Sequence, residues 1–290
     1  MRGTPYIVRM VMTGLSKPKV PRLGVDVAGQ IQAVGRNVTQ FKPGDQVFGT
    51  CRGAFAEYVC TPESKLVKKP HNVTFEQAAS VPIAACTALQ GLRDKGHVQP
   101  GQKVLVNGAA GGVGTFAVQI AESFGAEVTG VCSTRNVDMV RSIGADRVID
   151  YTQEDFTKSG QRYDLILDCV GNHSLLARRR LLKPRGICVI AGGPSGRWKM
   201  GLARGIRALV MSQFGRRKLV PLLARSNKED LTTMRELMAT GKVTPVINRR
   251  YRLNEVPEAI RYLEGGHARG KVVITLDDNG KANDALFTGI

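Results

Sequence analysis

The sequence predicts an α/β fold that is built on a doubly wound parallel sheet. An apolar run, Val104–Val106, is followed by a glycine cluster and then by a segment whose apolar side chains recur at helical spacing. A second apolar run, Val128–Val131, comes next, so the order is strand, glycine turn, helix and strand. Further apolar runs continue this alternation, as parallel βαβ units do; they are Val148–Ile149, Leu165–Leu167 and Ile187–Ala191.

Residues 1–70 show short apolar runs with frequent turns between them, which predicts a β-rich region. Val25–Val34, Gln46–Phe48 and Ala54–Val59 are short apolar or alternating runs, which are typical of strands. Turns that contain glycine or proline separate them, as in a small barrel or sandwich. We expect no helix of useful length before Thr74.

Helical patterns begin at Thr74. Thr74 and Gln77 form a candidate capping box, and Ala78–Leu92 is rich in alanine and leucine, which favours a helix. Towards the end of the chain the pattern predicts further helices and a last apolar run; these are Leu202–Phe214, Lys228–Thr240, a short helix from Pro257, and Lys271–Leu276.

The glycine cluster has the spacing of a phosphate-binding turn. Ala109-x-Gly111-x-x-Gly114 differs from Gly-x-Gly-x-x-Gly only in its first residue. A pyrophosphate must approach the unpaired N–H groups at the start of the following helix, and a β-carbon at Gly111 or Gly112 would block that approach. An isolated glycine motif is often only a tight turn. Within a complete βαβ pattern it predicts dinucleotide binding.

The residues after the second strand indicate which nucleotide binds. In NAD sites an acidic residue at this place binds the ribose 2′-hydroxyl. Here Val128–Val131 is followed by Cys132-Ser133-Thr134-Arg135, without a carboxylate. Ser133 can donate a hydrogen bond and Arg135 can make charge-assisted contacts with a phosphate, which predicts NADPH. Both residues can also cap the next helix, and that role is compatible with NADPH.

The net charge of +18 is concentrated in one region. Residues 178–225 contain thirteen Lys and Arg and neither Asp nor Glu. Such a surface attracts anions, but Trp198 and Phe214 are its only aromatic residues and we find no nucleic-acid motif. We therefore expect a solvated basic face and no specific nucleic acid. Leu202–Phe214 could lie on a membrane surface as a basic amphipathic helix. We favour a helix that covers a cleft or packs against a partner subunit.

Cysteine spacing and apolar runs restrict metal content and location. The six cysteines form no Cys-x-x-Cys pair, so we expect reduced thiols and no structural zinc lobe. No apolar run has the length of a membrane span, and the first residues lack a secretory signal, which predicts a cytoplasmic protein. The cysteines are Cys51, Cys60, Cys86, Cys132, Cys169 and Cys188.

Taken together, these segments resemble the medium-chain dehydrogenase/reductase superfamily, in its zinc-independent quinone oxidoreductase-like (zeta-crystallin-like) branch. The matching segments extend over nearly the whole chain; they are Gly24–Gly29 with Val34-Gly35, residues 41–49, residues 53–59, Asn107–Gly114, residues 144–151 and residues 251–274.

The resemblance implies a particular domain organisation. A Rossmann-type cofactor domain is inserted in a GroES-like β-rich catalytic domain, and two copies form a homodimer through the cofactor-domain sheets. We expect the catalytic domain at 1–75 and 244–290 and the cofactor domain at 76–243. Relatives have further strands before the part that matches Arg2–Pro5, including an Asn-Pro segment of the substrate pocket. The catalytic domain is therefore expected to be incomplete at its N-terminus, unless the true start lies upstream.

One departure from the zinc-dependent relatives bears on the chemistry. They carry Gly-His-Glu where this chain has Gly24-Val25-Asp26, and Val25 has no lone pair for a metal. We therefore expect no metal. Reduction without a metal suits quinones and α,β-unsaturated carbonyls, which already delocalise charge; hydride from NADPH adds directly and the oxyanion is held by hydrogen bonds.

The resemblance also implies the site residues. The pyrophosphate would lie on Ala110, Gly111, Gly112 and Val113, and the adenosine phosphate near Ser133, Arg135 and Tyr151. The residues near the nicotinamide would be Thr87, Val170, Gly192 and Gly193. A C-terminal stretch would close over the cofactor; it contains His267, Ala268 and Arg269. His267 could instead cap a surface helix. Tyr6 is the remaining candidate proton donor, and a tyrosine in a surface loop is its alternative role.

These inferences predict an NADPH-dependent, zinc-independent oxidoreductase that reduces quinones or α,β-unsaturated carbonyls. Three alternatives stay open. The first is a non-catalytic NADPH-binding regulator or a truncated remnant, which an incomplete catalytic domain would favour. The second is a zinc-free NADP-dependent alcohol dehydrogenase. The third is a basic protein that binds a membrane or a nucleic acid.

Overall fold

The computed structural model describes residues 23–192, 216–266, 268–276 and 288–289. These residues divide into two compact units. The first, here named the sheet unit, comprises 89–110, 117–192 and 216–223. The second, here named the flanking unit, comprises the described parts of 22–88, 111–116 and 224–290. The predicted domain boundaries stay predictions. Four predicted features lie outside the described residues; they are Tyr6, Gly193, the helix Leu202–Phe214 and His267.

The described strands agree with the mixed α/β prediction. Those of the flanking unit are β1 (Asp26–Gln30), β2 (Gln46–Thr50), β3 (Leu66–Lys68), β10 (Ile247–Arg252), β11 (Lys271–Thr275) and β12 (Thr288–Gly289). Those of the sheet unit are β4 (Lys103–Asn107), β5 (Glu127–Cys132), β6 (Arg147–Asp150), β7 (Tyr163–Asp168), β8 (Leu182–Ile190) and β9 (Lys218–Pro221).

The described α-helices are short or of medium length. They are α1 (Phe75–Ala79), α2 (Pro82–Leu89), α3 (Gly112–Ser123), α4 (Val137–Ser142), α5 (Leu175–Leu181), α6 (Lys228–Ala239) and α7 (Val256–Glu264). A π-helical segment, Gln90–Lys95, follows α2. Within the described ranges, no helix combines the length and apolarity that crossing a bilayer requires.

The six strands of the sheet unit form one parallel sheet. Their order is β6-β5-β4-β7-β8-β9, and every neighbouring pair is parallel. The chain moves outward from β4 to one edge and then returns to the other side of β4. This is the predicted doubly wound, Rossmann-type sheet, and it is confirmed. The strand β9 was not predicted, because its four residues lie in a basic stretch with little apolar pattern.

The core of the sheet unit lies against the sheet faces, where side chains of β4, β5 and β7 are shielded from water. The fully buried residues include Leu105, Leu165 and Ile166. A side chain of this kind stabilises the fold by about 1.5 to 3 kcal/mol through burial of its apolar surface. Cys188 belongs to the same cluster as Leu105, as predicted for a small buried hydrophobic side chain.

The flanking unit contains two small sheets. β1, β2 and β3 form an antiparallel sheet, with Ala28 opposite Phe48. β10 pairs with β11 in parallel, and β12 pairs with β11 antiparallel. Separate apolar clusters hold these sheets, one around Val27 and Leu66 and the other around Val272. The GroES-like part of the predicted fold class is confirmed by the family comparison reported below.

The prediction of a strand at Ala54–Val59 is wrong. This segment is a series of bends, because its backbone bonds to a neighbouring loop and not to a sheet. The N–H groups of Ala54 and Phe55 donate to the carbonyls of Gly24 and Leu23, and Ala56 N–H donates to the carbonyl of Ala54. The alternating apolar pattern therefore reflects contacts on two sides of a loop.

The predicted helix Ala78–Leu92 is interrupted. The capping box that begins it is present: Gln77 N–H donates to Thr74 Oγ1 at 3.1 Å, and Thr74 N–H donates to Gln77 Oε1 at 2.9 Å. The helix α1 then ends, and α2 begins at Pro82. Proline has no N–H to continue the first helix and fits the first position of the second.

We expect Leu105→Ala to lower the free energy of unfolding by about 2 to 5 kcal/mol, because it opens a cavity in the central strand. Chemical denaturation measures the loss. Leu223→Ala is the matched control, since Leu223 is 85% exposed; its effect should stay within about 0.5 kcal/mol. Equal effects of the two substitutions would contradict the placement of the core.

Candidate cofactor site

The turn after β4 is fixed to the end of β5. Gly108 has a φ of +86°, a conformation that favours glycine. The N–H groups of Gly108 and Ala109 donate to the carbonyl of Val131 at 3.2 and 3.0 Å. The helix α3 then begins at Gly112. The first N–H groups of a helix lack intrahelical partners, so this turn presents donors to an anion at the carboxyl edge of the sheet.

Two glycines allow the close packing around this turn. A β-carbon at Gly108 would lie 2.6 Å from Cγ2 of Val170, and one at Gly130 would lie 2.6 Å from Cγ1 of Val140 and 3.0 Å from Cβ of Ala109. Atoms cannot approach so closely without displacement. Sequence reasoning missed Gly130, and its position inside a β-branched strand was the signal that could have identified it.

Ser133, Arg135 and Tyr151 lie at one corner of the sheet, where β5 and β6 end. Cys132 is opposite Asp150 in the ladder, and Tyr151 N–H donates to the carbonyl of Cys132 at 3.0 Å. Arg135 is exposed, and the exposed fraction of Tyr151 is 57%. The register therefore brings Tyr151 to the turn that carries Ser133 and Arg135.

The hydroxyl of Ser133 is held by a local contact. Its Oγ accepts a hydrogen bond from Nδ2 of Asn136 at 3.1 Å, so the hydroxyl hydrogen can donate to a ligand. Asn136 N–H also donates to the carbonyl of Ser133 at 2.8 Å. These bonds shape the short 3₁₀ turn Thr134–Asn136, on which Arg135 lies.

A carboxylate also lies at this corner, and sequence reasoning missed it. Asp150 Oδ1 accepts hydrogen bonds from the N–H and the hydroxyl of Thr152 at 2.9 and 2.8 Å. The hydroxyls of Thr152 and Thr134 are 2.9 Å apart. Hydrogen bonding, chiefly to Thr134, holds the pKa of Asp150 below its ordinary value. The sequence shows Asp150 at the end of a strand but does not reveal which strand end it faces.

The loop after β7 borders the same edge of the sheet. The N–H groups of Ala191 and Gly192 donate to the carbonyl of Asp168 at 2.9 and 3.1 Å, which joins the ends of β7 and β8. The side chain of Val170 is 38% exposed on this loop. Burial raises the pKa of the Cys169 thiol to about 12, so this thiol stays protonated and is a poor nucleophile.

Of the residues predicted near the nicotinamide or in the C-terminal stretch, the described ones in the flanking unit are Thr87, Ala268 and Arg269. Thr87 on α2 is nearly buried, and its hydroxyl donates to the carbonyl of Ile83 at 2.7 Å. Ala268 and Arg269 are partly buried, and Arg269 N–H donates to Oδ1 of Asn248 at 3.3 Å. These positions do not test the predicted roles at the nicotinamide.

Val25 occupies the position at which zinc-dependent relatives carry a metal-binding histidine. Val25 is 47% exposed, and Asp26 beside it is buried. Within the ranges described above, no group of three His, Cys, Asp or Glu residues is arranged to hold a metal ion. Asp26 Oδ1 accepts a hydrogen bond from Ile83 N–H at 3.1 Å, and its Oδ2 is 3.9 Å from Nζ of Lys271.

Burial dominates the electrostatics of the Asp26 and Lys271 pair. It raises the pKa of Asp26 to about 6, although the Lys271 ammonium and the Ile83 N–H oppose the rise. It lowers the pKa of Lys271, and Asp26 opposes that change. The stem of Lys271 also passes the start of α3, since a β-carbon at Gly112 would lie 3.2 Å from its Cδ. Lys271 of β11 therefore lies beside Gly112 within the flanking unit.

Asp26 gives the folded chain a pH dependence of defined sign. Its pKa is about 6 in the folded chain against an ordinary 3.8, so between these values the folded state binds more protons than the unfolded state. The contribution of Asp26 to the free energy of unfolding is thus greatest at low pH and falls as the pH rises. We expect wild-type stability, relative to Asp26→Asn, to fall by up to about 3 kcal/mol between about pH 4 and pH 7. Denaturant titrations at several pH values measure this difference. A difference that is independent of pH would contradict the raised pKa.

Two protein-family models and several known proteins match this chain. Residues 5–71 match the model of the alcohol dehydrogenase GroES-like domain, and residues 143–274 match a family model described as zinc-binding dehydrogenase. The chain is 33% identical over 283 residues to a chloroplast envelope quinone oxidoreductase homolog of Arabidopsis thaliana, with coverage of 91% of this chain and 84% of the relative.

Two further similarities come from a relative and a solved structure. The chain is 35% identical over 271 residues to 2-methylene-furan-3-one reductase of Solanum lycopersicum, covering 89% of this chain and 63% of that protein. The Escherichia coli quinone oxidoreductase, solved in complex with NADPH, aligns with a TM-score of 0.72 at 25% identity, covering 94% of this chain and 88% of that one. With its GroES-like region, its parallel six-stranded sheet and these similarities, the chain belongs to the medium-chain dehydrogenase/reductase superfamily, in the zinc-independent quinone oxidoreductase-like branch of these NAD(P)H-dependent oxidoreductases.

Proposed function

We propose that this protein is an NADPH-dependent reductase of quinones or α,β-unsaturated carbonyls that works without zinc. One observation carries the cofactor assignment: the sheet register brings Ser133, Arg135 and Tyr151 to one corner beside the glycine turn. The substrate class is supported by the relatives, which are named as quinone oxidoreductases and as a reductase of an enone.

The residues at the carboxyl edge of the sheet fit a dinucleotide. The turn at Gly108–Gly112 presents N–H groups and small side chains, and a bulkier residue at Gly108 would collide with Val170. Ala110, Gly111, Gly112 and Val113 would hold the pyrophosphate there. When it is bound, NADPH supplies the hydride, and the chain orients it and excludes water.

The preference for NADPH over NADH depends on a balance of charges. The ordinary pKa of an aspartate is 3.8 and that of Asp150 is lower still, so Asp150 is ionised at neutral pH and repels a 2′-phosphate at this corner. Its Oδ1 is already occupied by two hydrogen bonds from Thr152. Arg135 supplies the opposite charge and can bind the phosphate in a bidentate manner, while Ser133 adds a hydroxyl donor. We propose that the guanidinium outweighs the carboxylate.

The apolar side chain at position 25 favours substrates that need no Lewis acid. A quinone accepts one hydride and one proton and becomes a hydroquinone, and an enone becomes a saturated ketone. In both, the developing oxyanion is delocalised, so hydrogen-bond donors suffice to stabilise it. Val25 gives a metal no lone pair and instead exposes an isopropyl group on the surface of the flanking unit.

We expect Arg135→Ala to raise the Kd for NADPH roughly 10- to 100-fold, which is the loss of one charge-assisted contact. The Kd for NADH should change less than about threefold, because NADH lacks the 2′-phosphate that Arg135 would contact. Nicotinamide fluorescence titrations measure both constants. Arg141→Ala is the control, because Arg141 is largely exposed and its salt-bridge partner is Asp138. Equal wild-type affinities for the two cofactors would refute the selectivity.

Turnover tests the reaction. The purified protein should oxidise NADPH in the presence of ortho-quinones or enones, measured as loss of nicotinamide absorbance, and dialysis against a chelator should leave the rate unchanged. Tight binding of NADPH without turnover of any substrate would favour a non-catalytic NADPH-binding protein. Loss of activity after dialysis that added zinc restores would overturn the metal-free mechanism.

The domain organisation and the homodimer are proposed from the family resemblance, and the location from the apolar pattern of the sequence. We propose a GroES-like catalytic domain at 1–75 and 244–290, a cofactor domain at 76–243, a homodimer joined through the cofactor-domain sheets, and a cytoplasmic location. Light scattering of the purified chain tests the homodimer, and a monomer at micromolar concentration would contradict it.

A further inference from the structure

A buried ion pair lies behind the loop that follows β7. Asp168 is the last residue of β7, and its Oδ2 is 2.6 Å from Nε of Arg178 on α5. The side chains are only 1% and 4% exposed. The approach is close but poorly aligned for a hydrogen bond, so the attraction is mainly one of charge. Because burying two charges costs about as much as their attraction returns, stability alone does not account for the pair.

The other oxygen of the same carboxylate holds the loop. Asp168 Oδ1 accepts hydrogen bonds from the N–H groups of Val170 and Gly171 at 3.1 and 2.9 Å, and from Nδ2 of Asn107 at 2.9 Å. Asn107 ends β4 and also donates to Oδ1 of Asn172 at 3.0 Å. A single carboxylate oxygen therefore connects the ends of two adjacent strands to the loop between Asp168 and Asn172.

The loop has little freedom on either side. The side chain of Val170 packs on Gly108, and the carbonyl of Cys169 packs on Gly192, where a β-carbon would collide with it. Gly171 has a φ of +75°, which few other residues adopt. Because the N–H groups of Val170 and Gly171 both donate to Asp168 Oδ1, the orientation of this carboxylate sets the direction of the Val170 side chain.

We propose that Arg178 is a positioning residue that acts through Asp168. The guanidinium lies against Oδ2 of the buried carboxylate and holds that carboxylate in one orientation. The carboxylate in turn fixes Val170, whose partly exposed side chain meets the nicotinamide end of the cofactor. This inference rests on the proposed function, since only the family resemblance puts Val170 beside the nicotinamide.

A cofactor fragment separates positioning from general support of the fold. 2′-Phospho-ADP-ribose contains the phosphates and the adenosine of NADPH but lacks the nicotinamide. For Arg178→Met we expect the Kd for NADPH to rise roughly tenfold, as a misplaced contact surface costs affinity. The Kd for the fragment should stay within about twofold, because the glycine turn and Arg135 are unchanged. Calorimetric titration measures both constants. Arg180→Met, at an exposed position of the same helix, is the matched control and should change neither.

Two further variants keep the test decisive if Arg178→Met does not fold. Arg178→Lys retains the charge and should recover part of the NADPH affinity. The double variant Asp168→Asn with Arg178→Met removes both buried charges and should show the same selective loss for NADPH. Equal weakening of both ligands together with a lower Tm, or wild-type affinity in the double variant, would overturn the positioning role. If the unsubstituted protein binds neither ligand, the proposed function itself fails.

Discussion

The parallel register of β4 between β5 and β7 is the constraint on which the rest of the structure depends. Asn107, the last residue of β4, is opposite Val131 on one side and Asp168 on the other. This register places the carboxyl ends of all three strands at one edge of the sheet. This edge therefore carries the glycine turn, the corner at Ser133 and the loop after Asp168. Ligands of doubly wound sheets bind at such an edge.

The two buried ion pairs differ in the distance between the charged groups and in the hydrogen bonds that the carboxylate accepts. Asp168 and Arg178 are 2.6 Å apart, and the carboxylate is also bound by several N–H groups. Asp26 and Lys271 are 3.9 Å apart with fewer hydrogen bonds, and the pKa of Asp26 rises to about 6. Donors aimed at a buried carboxylate replace the water that burial removes, and the Lys271 ammonium replaces too little of it to cancel the rise in the pKa of Asp26.

Much of the sheet unit was predictable because local pattern and tertiary packing agree there. The runs that became β4, β5 and β7 are short and apolar, β4 and β5 are also rich in β-branched residues, and each strand is buried on both faces. Prediction was weaker where the same residue pattern is compatible with two different structures. Ala54–Val59 alternates like a strand but bonds to the loop at Leu23 and Gly24, and Pro82 divides an otherwise helical run. The first outcome is decided by which backbone partners are nearby, and the second by a proline that has no N–H to continue the first helix.

The sequence by itself determined the family, the glycine turn and the candidate residues Ser133 and Arg135, because these depend on residue types at fixed local spacing. Only the tertiary structure decided which strand ends meet. It placed Asp150 at the corner with Arg135, and it placed Arg178 behind Asp168. The physical reason is that strand order and register are set by the packing of the whole sheet, and nothing in a strand's own residues specifies its neighbour.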